Sequence, residues 1–472
     1  MIEVASPDVP LISASRRWTV VAICASALFL VGLDTTIVTV GLPRIGAGLG
    51  LGSDRLAWVV DAYTVPFASL LITSGALADR FGRRRVFQTG LVMFGLSSLA
   101  AAVAPSLEVL LAARVVQGVG ASMLTPVALA IVVNVMTDPR ERAQAIGIWG
   151  AMFGLSMAAG PVTGGALIAV FDWRAVFWIN GPIVLAAILL VRTLVPESRA
   201  ATPRRLDWPG QVLLMVALAI AVTVLIEAPR VGWSSPTAIV AYVAVLLTAV
   251  AFGWVESHRR EPLIDPGLFR SAGFTGAVVS AVAVFVAFSM TLLLTTVLLQ
   301  DRMGWEPVAA GAATLPMALG ALVCAPVSGH LVGRIGSRLP LLTAGACLLL
   351  GGALLVSLTS TLSVPVLLVA YLLVGVGVGL SSPPITNAAV SSLPPERAGV
   401  AGGITSTARQ IGTALGVALA GSLTATLDQP FTSLLGWLLV SGCGAAVLAS
   451  ALLLPTRLAR PSSTGTRQGR KA

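Results

Sequence analysis

Few side chains in this chain are placed to do chemistry, because its polar residues are scarce and its apolar runs are long. Asp34 stands in Gly32-Leu-Asp34-Thr-Thr-Ile-Val-Thr-Val-Gly-Leu-Pro43, and Asp61 in Trp58-Val-Val-Asp61-Ala-Tyr63. Arg114 and Gln117 lie in Ala112-Ala-Arg114-Val-Val-Gln117-Gly118, and Arg409 and Gln410 in Ser406-Thr-Ala-Arg409-Gln410-Ile-Gly412. A carboxylate at membrane depth is costly unless it is protonated, paired or in water. Asp34 is therefore a proton carrier or a structural carboxylate bonded to a neighbouring helix. A guanidinium inside a helix needs a carboxylate or backbone oxygens, so Arg114 and Arg409 both call for partners. Gln117, one turn from Arg114, either binds substrate or braces a helix contact. Asp61 lies close to the start of its run, where a cavity role and a solvated or structural one are both open. Trp58 and Tyr63 beside it would stack on a flat or cationic compound, or anchor the helix at the interface.

Enzyme chemistry has little to build on. His258 and His330 stand alone near run ends, without Ser, Cys or Asp partners. Cys24, Cys324, Cys347 and Cys443 fall inside apolar runs with no metal-ligand spacing, so no metal and no cofactor are expected. Gly118-Val-Gly120 follows no strand, so its glycines suit helix packing rather than a phosphate loop.

Long apolar helices must position these residues. The chain has 472 residues, 56% hydrophobic and 11% charged, against about a quarter charged in a soluble domain. Apolar runs recur near 18–41, 56–78, 86–104, 107–135, 143–169, 175–192, 208–227, 236–256, 272–299, 308–332, 339–358, 362–384, 398–424 and 431–455. Each is long enough to cross a bilayer, which makes about fourteen spans in an all-α integral membrane protein. No cleavable signal is expected: acidic residues precede Arg16-Arg17, and the first run is too long. With the N-terminus inside, only Arg44, Arg55, Arg174, Arg230 and Arg302 fall in external segments. The other basic residues outside the spans lie in the cytoplasm, which places both termini there. The same distribution accounts for the net charge of +10 through membrane lipid, with no nucleic-acid partner.

The chain repeats itself. Gly75, Arg80, Gly82 and Arg84 reappear as Gly329, Arg334, Gly336 and Arg338. Pro139-Arg-Glu-Arg142-Ala143 reappears as Pro394-Pro-Glu-Arg397-Ala398, and Gly118, Gly120 and Pro126 as Gly375, Gly377 and Pro383. Near-equal offsets in the same order describe a duplicated six-helix unit with an insert between the copies. The expected organisation is a tail at 1–17, a six-helix bundle at 18–192, a two-helix insert at 193–271, a second bundle at 272–455 and a basic tail at 456–472. Two pseudo-symmetric bundles with a path between them are the architecture of rocking-bundle transporters.

Several of these motifs carry a resemblance. Gly75-Ala-Leu-Ala-Asp79-Arg80-Phe-Gly82-Arg83-Arg84 resembles the helix 2–3 signature of the major facilitator superfamily. The unbroken stretch from Leu33 to Pro43 resembles the helix 1 signature of its fourteen-helix drug:proton antiporters. The Arg114 stretch is similar to a helix 4 signature whose arginine is linked to proton coupling. Gly150-x-x-x-Gly154 followed by Gly160-Pro161-Val-Thr-Gly164-Gly165 resembles the helix 5 signature of antiporter branches, and plain helix packing would use the same residues. The resemblance implies a proton-coupled exporter of drugs or antibiotics in a bacterial inner membrane, working as a monomer. In it Asp34, Arg114 and Asp61 serve coupling, and Trp58, Tyr63, Gln117 and Gln410 serve substrate binding. Gly75, Asp79, Arg80, Gly82 and Arg83 form a conformational latch. The latch acid, absent from the second copy where Gly333 replaces it, is expected to dock on the fifth helix of the other half near Glu396. The acids within spans all precede the ninth helix, which implies neutral or monocationic lipophilic substrates. A nutrient uniporter or symporter is the alternative, and a polytopic enzyme the remote one.

Overall fold

In the computed structural model the described residues are 13–52, 55–136, 138–199, 206–259, 262–358, 363–391, 398–424 and 430–454. They are helical nearly throughout, with no strand among them. Twelve helices among the described residues are long and apolar enough to cross a membrane. In chain order the long helices are α1 (Ala14–Leu49), α2 (Leu56–Phe81), α3 (Arg83–Ala102), α4 (Leu107–Val135), α5 (Pro139–Val170), α6 (Ala175–Leu194) and α7 (Trp208–Val231). They continue as α8 (Pro236–His258), α9 (Ala272–Arg302), α10 (Pro307–Ile335), α11 (Arg338–Ser357), α12 (Val364–Ser391), α13 (Ala398–Thr424) and α14 (Pro430–Leu452). With α5 and α13 added to the twelve apolar spans, the count is about fourteen. In lipid only helices and closed barrels satisfy their own backbone, which is why apolar runs of this length fold this way.

Local chemistry sets the helix ends. The side chains of Ser13, Asp207, Ser235 and Ser271 cap α1, α7, α8 and α9 by accepting backbone N–H groups of the first turn. Gly82 and Gly336 end α2 and α10 at φ +109° and +83°, so the same tight turn occurs in both copies of the repeat. Two helices are interrupted just before a proline: α6 at Ile179, ahead of Pro182, and α10 at Thr314, ahead of Pro316.

Packing repeats as the sequence does. In the first half α1 packs on α5, α2 on α4, and α3 on α4 and α6; in the second α9 packs on α13, α10 on α12, and α11 on α12 and α14. One contact recurs in detail. A Cβ on Gly118 would strike the Tyr63 carbonyl of α2, and one on Gly375 would strike the Met317 carbonyl of α10. The halves meet reciprocally, α2 on α13 and α5 on α10. Inserted helix α7 lies on both α2 and α13, with α8 packed against it and otherwise exposing apolar side chains such as Val240, Leu246 and Val250.

The bundle is closed at one end. Call the end bearing the α1–α2 loop upper and the end bearing the α2–α3 turn lower. Toward the upper end α2, α9 and α13 are buried around almost their whole circumference, whereas lower positions such as Leu70, Ile72, Gly402, Ser406 and Gln410 are half-exposed. Contacts between the halves cluster at the top, where the Gln300 side-chain amide donates to the Val40 carbonyl (2.9 Å) and Arg44 approaches Glu306 (3.7 Å).

The Gly375–Met317 contact leaves no room for a side chain. Gly375→Leu should cost at least the ~1–3 kcal/mol typical of overpacking, seen as a lower thermal unfolding midpoint in detergent. Gly333→Ala, where a Cβ meets nothing within 4 Å, should leave the midpoint unchanged.

Candidate functional site

Five helices of the first half converge on Asp34. Its Oδ2 accepts from Arg114 Nη1 at 2.5 Å, and its Oδ1 accepts from Gln117 Nε2 (2.8 Å) and Asn180 Nδ2 (3.0 Å). Arg114 Nη1 also donates to Gln117 Oε1 (2.8 Å), and its Nε to the Val59 carbonyl of α2 (3.0 Å). The guanidinium lies over the Tyr63 ring, 4.3 Å from its centroid. Asn180 also donates to Ser98 Oγ of α3 (3.0 Å), which donates in turn to the Phe177 carbonyl (2.9 Å). Asp34, Arg114, Gln117, Asn180, Ser98 and Tyr63 are all fully buried.

The local sequence explains the convergence. Arg114 and Gln117 are three residues apart on α4, so they share a face. The turn of α6 ahead of Gly181-Pro182 brings Asn180 to the same point. Burying an ion pair is favourable only when the geometry is good and the remaining lone pairs are bonded. Three donors on one carboxylate meet that condition on the side of Asp34, while Arg114 Nη2 is buried without a partner. Oδ1 holds two donors and Oδ2 one, so a proton on Oδ2 would compete with Arg114 for that oxygen.

The other residues singled out in the sequence fall in different places. Asp61 is buried, not solvated as its place near the start of α2 allowed: Oδ1 accepts from Thr64 Oγ1 of its own helix (2.9 Å) and Oδ2 has no partner. Tyr63 lies beneath Arg114 with no exposed surface, so neither the interface nor an open stacking position describes it. Trp58 is half-buried, and its indole N–H donates to Glu227 Oε1 of α7 (3.1 Å), which also pairs with Arg230 (3.0 Å). Lower down, Gln211 of α7 donates to the Ser69 carbonyl (2.9 Å) and accepts from Thr73, so the inserted helix is tied to α2 at two depths. Arg409 is half-buried, with Gln410 half-exposed beside it.

At the α2–α3 turn Asp79 accepts from Arg83 Nη2 (3.0 Å), and Arg80 extends outward over Phe81. A Cβ at Gly75 would meet nothing within 4 Å among the described residues. Gly82 is crowded: the Glu197 carboxylate would be 2.7 Å from a Cβ. Glu197 Oε1 also accepts the Arg84 backbone N–H (3.0 Å), and the Ser198 carbonyl accepts that of Arg83 (2.9 Å). The expected docking point near Glu396 lies outside the described residues.

The α5 glycines serve two neighbours. Cβ atoms on Gly160 and Gly164 would strike Thr36 and Ile37 of α1, while those on Gly154 and Gly165 would meet Leu322 and Pro307 of α10. The carbonyl of Pro161 lies against Gly311 of α10. These residues form the seam between the halves.

Sequence reasoning missed Asn180, Ser98 and Glu197. An amide at the start of an apolar span was the available signal for Asn180, obscured because Asn-Gly-Pro reads as a turn. A lone acid among cytoplasmic arginines was the signal for Glu197. Ser98 carried none, since serine is common inside membrane helices.

Two packed six-helix repeats around a sealed intramembrane ion pair define a polytopic membrane protein of the secondary-transporter type. The chain belongs to the Major Facilitator Superfamily, whose family model matches residues 24–417. It is 39% identical over 406 residues to Multidrug resistance protein Stp of Mycobacterium tuberculosis, covering 85% of this chain and 75% of that one. It is 37% identical over 447 residues to the Methylenomycin A resistance protein of Streptomyces coelicolor, covering 93% and 91%. Among solved structures, a POT family transporter in complex with a thioalcohol-conjugated peptide shares the fold at a TM-score of 0.66 and 15% identity, over 92% of this chain and 94% of that one.

The ion pair makes a stability prediction. Arg114→Met or Asp34→Leu alone strands a buried charge and should cost ~3–5 kcal/mol, while the double variant should cost less than either. Additive losses of melting temperature across the three variants would show that the two residues do not act as a pair.

Proposed function

We propose that this protein exports lipophilic drugs or antibiotics from a bacterial cell in exchange for protons. The relatives named for multidrug and methylenomycin A resistance support the drug. The Asp34–Arg114 pair, sealed under the closed upper end, carries the case for the proton. The upper end is read as external, following the arginine bias, with both termini in the cytoplasm. The halves correspond to 18–192 and 272–455, with 193–271 as the insert.

The mechanism is alternating access by a single chain. With the upper end closed, Asp34 is ionised, holds Arg114 and is shut off from external water. Drug enters from the cytoplasm through the half-exposed lower part of the cleft. When the halves rock apart at the top along the α5–α10 and α2–α13 seams, external water reaches Asp34 and a proton displaces Arg114. Drug then leaves outward. On return, Arg114 reclaims the carboxylate and the proton leaves inward. Asp61, with one carboxylate oxygen unpartnered in the buried interior, is suited to hold a second proton. The α2–α3 turn, with Asp79 and Arg83 at its centre and Glu197 bracing it, is the latch at the cytoplasmic face.

Substrates are neutral or monocationic, because no acid lies at depth in the second half to neutralise a second charge. In inverted vesicles an imposed inside-acid gradient should drive dye accumulation by the wild type, and Asp34→Asn should abolish it while remaining folded. Transport by the variant at wild-type rate would rule out coupling through Asp34. In the same vesicles chlorhexidine, a dication, should be moved far more slowly than the monocation ethidium. Equal rates would refute the charge limit.

A further inference from the structure

The two halves treat their buried arginines differently. Arg114 has a carboxylate, an amide oxygen and a backbone carbonyl, with Nη2 alone unpartnered. Arg409, eleven residues into α13 and so about 16 Å from its start, has no carboxylate. Its Nη2 donates to Thr386 Oγ1 (2.9 Å) and to the Ser382 carbonyl (3.4 Å), both on α12. Its Nε is buried with no partner, and Nη1 meets no acceptor among the described residues. Away from the helix ends it is the sole charged side chain of α9–α14 among the described residues.

An uncompensated cation at membrane depth is expensive, and such residues face a cavity or a substrate path. The surroundings point the same way. Helix α13 is covered by α2, α7, α9 and α12, so its half-exposed strip, Gly402, Ser406, Arg409 and Gln410, opens on the cleft and not on lipid. Ser406, Arg409 and Gln410 are spaced i, i+3, i+4 and share one face. The Phe285 ring of α9 stands 6.0 Å from the guanidinium and supplies a flat apolar wall. An open Nη1 donor beside an aromatic face, reached from the lower opening, fits a flat apolar molecule that carries an acceptor oxygen.

We propose that Arg409 anchors the transported compound by donating from Nη1 to a carbonyl or phenol oxygen on an aromatic body that packs against Phe285. The chemical class is a neutral, lipophilic oxygenated aromatic. Cationic groups are left to the acids of the first half. The proposal rests on the export reading and narrows its substrates.

The test uses purified full-length protein in nanodiscs, with binding of two dyes followed by fluorescence. Alizarin is a hydroxyanthraquinone with carbonyl and phenol oxygens, and ethidium is a flat monocation with none. Arg409→Gln should weaken alizarin binding about tenfold and leave ethidium binding unchanged, and Arg409→Lys should restore part of the loss. Thr386→Ala, which removes a hydroxyl that Arg409 holds within the half, should leave alizarin binding near wild type. Equal loss of both dyes, no loss of either, or an equal alizarin loss in Thr386→Ala would overturn the proposal and make Arg409 a brace between α12 and α13. Wild-type binding of ethidium without alizarin would overturn it too. Gradient-driven uptake in inverted vesicles separates this from the broader reading. If the wild type moves neither dye, export itself fails and the anchor with it; if it moves both but Arg409→Gln loses neither, only the anchor fails.

Discussion

The hydrocarbon environment makes an unmatched buried charge costly, and in the first half Asp34 and Arg114 match each other. The pair draws on α1, α2, α4 and α6 directly, and on α3 through Ser98. Because a buried pair is stable only when complete, these helices cannot shift independently without stranding a charge. In the proposed cycle the half moves as a body, and a change in the protonation of Asp34 is felt by five helices at once.

Rigid halves need a surface on which to move, and the glycines of the seam supply it. Along α5 the small residues divide between α1, inside the half, and α10, across it. Backbone lies on backbone at Gly165–Pro307 and Gly311–Pro161, so no long side chains interlock there. Interfaces of this kind are held by van der Waals contact and a few hydrogen bonds, which allows them to part. The Gln300–Val40 bond and the Arg44–Glu306 approach at the closed end are polar additions to an otherwise apolar seam. The inserted pair α7–α8 spans α2 and α13 and is tied by side chains to α2 through Gln211 and Glu227.

Much of this was legible in the chain. Apolar runs longer than a bilayer admit one secondary structure, so the helices and their near-fourteen count followed from length alone. The offset between Gly118 and Gly375 announced a repeat, and the structure shows both pressed on a carbonyl at matching positions. Asp34 and Arg114 could be picked out because charge is so costly in a membrane, and each needed a partner that the sequence left open. Depth and direction were less accessible. Asp61 sits near a helix start yet is sealed, because α2 runs against α4, α7 and α13 on nearly every side. Tyr63 faces Arg114 because its position on α2 turns it toward α4, something a three-residue motif does not encode. Asn180 joined the site through a proline-induced turn, a geometric accident of α6 rather than a pattern.

Duplication makes the remaining asymmetry informative. The copies agree in helix pairing, in the turn glycines and in the Gly118 and Gly375 contacts, so the scaffold has been kept. They differ where charge is held. At the position in α12 that matches Arg114 by the same offset stands Tyr371, buried and with its hydroxyl unpartnered. The ion pair has no second copy, and the cation of the second half sits instead on α13, open to the cleft. A proton site benefits from enclosure, since each added donor sharpens the choice between ionised and protonated. A substrate site benefits from donors left free. One half with an enclosed ion pair and the other with a cation that has no carboxylate is a division of labour suited to the proposed exchange of protons for oxygenated drugs.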